Sequence, residues 1–226
     1  DQLDTADEPL VIQRLFGQKG LARTGFDLSR EMIKIDDKFT QVLTLGIVEG
    51  GTGIDGELFG DLRRHPTSFG HFSNLLEFSP DTSLEIGGSF LAGSSGADLR
   101  NDVNAYGLDL TFIHKFDDVR RIKWLSEAYL QHRDDIVAED EALGYYTLLD
   151  VRLTDNYGVG ARYDNVERTF TTGEDEAYSL YVTLFRSKYA LLRAQYQKID
   201  FAEGGHDDLL FLQGTFAIGI HNHKMK

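Results

Sequence analysis

The stretch LLFLQGTFAIGIHNHKMK (Leu209–Lys226) closes the chain, and from Leu210 onward its residues sort by parity. Leu210, Leu212, Gly214, Phe216, Ile218 and Ile220 make one set; Phe211, Gln213, Thr215, Ala217 and Gly219 make the other. Strand side chains leave on alternate faces, so this is a two-faced strand, one face oily and the other mostly small or polar. Leu209 to His223 is free of acidic and basic residues other than His, but it falls short of the ~18 apolar residues that a spanning helix needs, and it alternates.

Working backwards, the same pattern returns about eleven times. Strands are expected at 24–34, 38–48, 70–78, 82–92, 103–115, 121–133, 143–154, 156–166, 176–186, 189–200 and 208–220. The joints alternate in length. Short ones such as LTDNYG and FDDVRR trade with longer ones such as RDDIVAEDEALG, NVERTFTTGEDE and the long EGGTGIDGELFGDLRRHPTSFG. Sorting of loops by length marks an up-and-down barrel of the outer-membrane kind, whereas a Greek-key sandwich has no reason for it. The fold expected is all-β: an antiparallel up-and-down transmembrane β-barrel with about 11–12 strands in this chain, with the alternative that it is part of a larger barrel.

Composition narrows the function. The chain has 226 residues, 15 Phe, 10 Tyr, 23 Gly, 3 Pro and no Cys, which excludes a disulfide scaffold and a thiolate metal site. A net charge of −14 argues against a nucleic-acid partner. Residues 1–22 read as an N-terminal segment, a partial strand or linker, and 23–226 as the barrel strands with short periplasmic turns and longer extracellular loops. Within 1–22, PLVIQRLF (Pro9–Phe16) would supply a twelfth strand, though it alternates poorly. The preferred reading is that the chain is the C-terminal part of a longer barrel, whose upstream strands make the count even.

Beyond about eight strands the side chains no longer fill a barrel, so its lumen is watery and the oily face meets lipid. The inward, pore-lining set is then Glu77, Glu85, Asp109, Lys123, Glu127, Asp150, Arg152, Arg162, Asp164, Arg193 and Gln195. On the outward face Tyr106 with Phe112, and Tyr157 with Tyr163, sit six residues apart and mark two aromatic girdles. A soluble β-sandwich burying the same oily face is the rival.

The pieces PLVIQRLFGQKGLARTGFDLS, NLLEFSPDTSLEIGGSFLAG, NAYGLDLTFIHKF, YGVGARYDNV and FLQGTFAIGIHNHKMK together resemble a Gram-negative outer-membrane porin-like family, zinc-regulated or TonB-dependent receptor-like and more distantly phosphate-selective porin-like. The resemblance implies a barrel in the outer membrane and passive or receptor-linked passage of small hydrophilic solutes. Lipid and lipopolysaccharide would be its partners, and a homo-oligomer is open. The ending HKMK departs from that family, whose chains commonly finish on an aromatic residue.

Other chemistry is thinner. Both signs of charge line the inward face, with no Arg or Lys ladder for phosphate, so weak cation preference or none is expected. Acidic residues Asp134, Asp135, Glu139, Asp140 and Glu141, and Glu167, Glu174, Asp175 and Glu176, read as two loops, either solvated or suited to divalent cations. His221 and His223 share a strand face and form the one imidazole pair for a metal, against a plain polar tail. His132 and His206, each near Asp, are the residues an outer-membrane hydrolase would use. No GxSxG elbow accompanies them. The expectation is no catalysis and no cofactor. The loop Gly56–Gly70 carries Arg63 and Arg64 and would constrict the lumen or lie on the surface.

Overall fold

The computed structural model describes residues 5–17, 20, 24–36, 38–49, 66–94, 102–134, 139–169, 172–187 and 190–216. One short helix precedes eleven strands: α1 (Leu10–Phe16), β1 (Gly25–Ile35), β2 (Phe39–Val48), β3 (Thr67–Ser79), β4 (Thr82–Ser94), β5 (Asp102–Lys115), β6 (Arg121–Asp134), β7 (Glu139–Arg152), β8 (Tyr157–Glu167), β9 (Glu174–Ser187), β10 (Ala190–Asp200) and β11 (His206–Phe216). All eleven strands form one sheet in sequence order, each antiparallel to the next. An odd count makes β1 and β11, the two ends of that order, run in the same direction. An antiparallel closure therefore takes at least one further strand.

The short connections, β1 to β2, β3 to β4, β5 to β6, β7 to β8 and β9 to β10, gather at one end of the sheet, and the other connections at the opposite end. There the expected loops shrink. β7 starts at Glu139 rather than near residue 143, and β3 at Thr67 rather than 70. Asp134 pairs with Glu139, His132 with Glu141, and Glu167 with Glu174. The two acidic loops are therefore mostly strand ends, with Asp135 outside the described residues. Charge marks where the oily band stops; the backbone ladder continues past it, because solvated carboxylates tolerate a strand. In the long connection, residues 56–65, including Arg63 and Arg64, lie outside the described residues, as does the tail after Phe216.

The larger correction is at the N-terminus. Residues 10–16 are a helix, not a twelfth strand. Leu10, Val11 and Leu15 fall within one helical face and are buried, while strand parity scatters them. A helix of this length is marginal alone, because few bonds offset its nucleation. The sheet completes it: Asp164 Oδ1 accepts the Leu10 N–H at 2.8 Å, and Gln131 Nε2 donates to the Leu15 carbonyl at 2.6 Å. Both ends of the helix thus find partners on strands.

The core lies under this helix. Leu10, Val11 and Leu15 pack with Ala142 and Tyr146 of β7, Val166 of β8, Ala177 of β9 and Ile199 of β10. Phe16 reaches Leu91 of β4 with Val103 and Ala105 of β5. Flat, the span from β4 to β10 would measure about 29 Å at ~4.8 Å per strand. A helix is only about 10–12 Å across with its side chains. One helix touching so many strands means that the sheet curls around it, and the face it touches is the inner one.

Candidate functional site

Residues 5–16 form a strap across the inner face, fastened through Arg162 of β8. Its guanidinium donates to Asp164 at 2.7 Å, to Thr5 Oγ1 at 2.7 Å and to Asp7 Oδ2 at 2.9 Å, with both Arg162 and Asp164 side chains 0% exposed. Asp7 also accepts from Gln195 and, at 3.1 Å, from Gln197, and the Ala6 N–H donates to Gln195 at 2.8 Å. Further along, Arg14 pairs with Asp175 at 3.0 Å, and Asp175 is held by Arg168 at 2.9 Å. Buried charges need such saturation, since an unpaired one costs several kcal/mol.

A second polar group occupies the inner face of β3 to β7. His71 Nε2 lies 3.0 Å from Asp109 Oδ1. Tyr129 donates to Glu127, and Tyr146 bonds to it too. Gly87 permits this cluster, because a Cβ there would stand 2.4 Å from the Asp109 carboxylate and 2.5 Å from His71 Nε2. At the rim of the strap, the Phe16 ring meets Tyr129 edge-on at 5.2 Å.

Strand register puts all eleven residues expected to line a pore on this same inner face. They do not act together. Arg162, Asp164 and Gln195 hold the strap; Asp109 sits directly beside Glu127, and Lys123 beside Asp150. Arg193, also buried, bonds Thr183 at 3.0 Å and lies over the Tyr181 ring. Arg152 lies over Phe185, and Glu85 and Glu77 follow toward the short-turn end, Glu77 exposed. Sequence reasoning missed the strap, His71 and Tyr129, and read Asp175 as part of an acidic loop where it is the partner of Arg14 and Arg168. The spacing of Leu10, Val11 and Leu15 was the signal for the helix.

The opposite face is apolar and open. Leu108, Leu180, Leu210 and Leu212 are each more than 60% exposed. Tyr106, Phe112, Tyr157 and Tyr163 all lie on it, Tyr106 and Tyr163 toward the long-connection end of their strands and Phe112 and Tyr157 toward the short-turn end. They belong to longer rows. From Tyr106, the upper row runs through Tyr145, Tyr163 and Tyr178 to Tyr196, slipping six residues in five strand steps. The lower row, Phe112, Trp124, Tyr157 and Phe216, slips six residues in six steps. About one residue per strand, ~3.4 Å along for ~4.8 Å across, is a slant of roughly 35–40°. The Tyr163 and Tyr178 hydroxyls bond Glu176 at 3.2 and 2.9 Å, so these rings point away from the band between the rows.

Inside that band, from β5 to β11, no outward residue is charged. Its polar groups satisfy each other: Ser126 and Thr147 hydroxyls at 2.7 Å, Trp124 Nε1 to Thr147 at 2.9 Å. Arg30 on β1 is an exception to the oily face, opposite Leu43 at the edge of the sheet.

The remaining candidates do not assemble. His132 and His206 both lie on the outward face, on β6 and β11 with four strands between them, so they share no catalytic centre. His221 and His223 lie outside the described residues. Among the described residues no group of three or more His, Cys, Asp or Glu could hold a metal ion, and no helix is long and apolar enough to cross a membrane. No family model matches the chain, and no curated protein or solved structure matches it either.

Proposed function

We propose that the chain is the wall of an outer-membrane, porin-like channel for passive diffusion of small hydrophilic solutes, narrowed from within by its N-terminal strap. The observation that carries this reading is the outward band, oily and uncharged over seven strands and bounded by two slanting aromatic rows. If those rows lie in the two membrane interfaces, the strands tilt by the amount that spanning barrels use, roughly 35–45°. A water-soluble protein would hide such a face; here polar groups are hidden instead. Girdle residues such as Tyr106 and Phe112 then anchor the barrel between lipid and lipopolysaccharide headgroups, and the carboxylates beyond the upper row stand in water. The likeness to the porin-like and receptor-like family is part of the same proposal, with a Gram-negative outer membrane as its location.

The strap gives the receptor or transporter reading its own support, since a segment inside the lumen is what a regulated passage would have. Closure takes another strand, whatever its source. Planar-bilayer recording tests the proposal: stable ohmic steps are expected. Silence in the bilayer, with a monodisperse protein in detergent-free buffer, would overturn it and favour a soluble β-sandwich.

A further inference from the structure

Resting on the channel reading, the geometry points to a solute class: we propose that small cations cross between the strap and the β3–β6 wall. The strap packs against the other side. It covers β7 to β10, and Arg162, the central cation there, is locked against Asp7 and Asp164. On the β3–β6 side a gap stays open. A space of about 310 Å³ runs between Ile12 and Phe16 of the strap and Phe69 and Leu91 of the wall, continuing to His71, Ser89 and Tyr129. Those last three residues also line a second cleft of about 240 Å³, which includes Asp109 and Glu127. The two spaces share His71, Ser89 and Tyr129, so they adjoin beside the strap.

Glycines widen this gap. Gly107 presents no side chain to it, and a Cβ there would already stand 3.1 Å from the Tyr129 ring. Past the second cleft the same wall carries Glu85 and then Glu77. The basic residues Lys123, Arg121 and Arg152 stand near the short-turn end, away from the strap. Selectivity is set where a passage is narrowest and its walls exclude water, since fixed charges act most strongly there. At that level the carboxyl groups on the wall are those of Asp109 and Glu127, with His71 bonded to the former. The hydrogen bonds to Glu127 come from Tyr129 and Tyr146, which bring no countercharge.

Reversal potentials in a KCl gradient across a planar bilayer test this. The wild-type channel is expected to favour K⁺ over Cl⁻. Asp109→Asn with Glu127→Gln, both close in shape to the originals, should lower that permeability ratio several-fold while single-channel steps persist. Glu203→Gln, outside the passage, should leave the ratio unchanged. A wild-type channel that opens but shows no cation preference overturns the inference and leaves the channel reading standing, as does a ratio insensitive to the double substitution. No openings at all would overturn both.

Discussion

The β7–β10 wall and the β3–β6 wall belong to one sheet and obey one parity, yet their inward polar residues live differently. On β7–β10 the charged ones under the strap are paired: Arg162 meets two carboxylates and Thr5, and Asp175 meets two arginines. On β3–β6, carboxylates accept from His71 and tyrosines and face an open gap. The sequence of either wall looks alike, alternating oily and polar. What covers a polar side chain decides whether it holds the fold together or faces open space.

The largest effect should come from cutting the covered wall. Arg162→Leu leaves Asp7 and Asp164 buried without their cation, a loss of about 3–5 kcal/mol. Asp109→Asn on the open wall keeps its shape and a hydrogen-bonding oxygen and should stay within about 1 kcal/mol. Denaturant unfolding in lipid vesicles, with limited proteolysis of the strap, measures both. Equal losses for the two variants would break the comparison between the walls.

The next effect turns the open wall around. Leu108 pairs with Ala128 and Gly88 between the aromatic rows, on the outward face. Leu108→Arg should cost about 2–4 kcal/mol if that face meets the hydrocarbon midplane. Glu85→Arg, inward on the neighbouring strand, should cost far less because that face is polar and Glu85 is only partly buried there. The same unfolding measurement decides it. A harmless Leu108→Arg would mean that the outward band does not face lipid.

Most of the sheet was legible because its information is local. Period two within each strand fixed which face every inward candidate joined, from Glu77 on β3 to Gln195 on β10. The strap was illegible for the opposite reason. Leu10 takes its cap from Asp164, 154 residues away, and Leu15 its partner from Gln131, so nothing near Pro9–Phe16 announces a helix beyond three apolar side chains. Strand ends were misread where composition and hydrogen bonding part company. Asp134 and Glu139 look like a loop, but they are opposed across a ladder, where the like charges repel yet remain solvated. The cluster of His71 with Asp109 joins residues 38 apart in sequence across a strand that offers only Gly87 between them. Contacts made by absent side chains leave no trace in a polarity pattern.

The smallest effect sits in the turn that joins β5 to β6, at the foot of the open wall. Asp117 accepts the Arg120 N–H at 2.6 Å, the Arg120 Nε at 2.6 Å and the Val119 N–H at 3.0 Å. These bonds, the Arg120 backbone first, hold its carboxyl at about 2, below the ordinary 3.8. A depressed folded value means that the ionised form supports the turn fully above the ordinary value, and that this support fades as pH falls from there toward about 2. The carboxylate is fully exposed, so the gain is local and small. Amide exchange at Val119 and Arg120 should be faster in Asp117→Asn than in the wild type near about pH 6, and the difference should shrink through about pH 2 and vanish below it. Strap proteolysis should not change at the higher pH, since no bond of the turn reaches residues 5–16. A difference that persists in acid would detach the turn's order from the Asp117 charge. A strap released by the variant would show that the two walls are coupled through their shared sheet and do not answer separately.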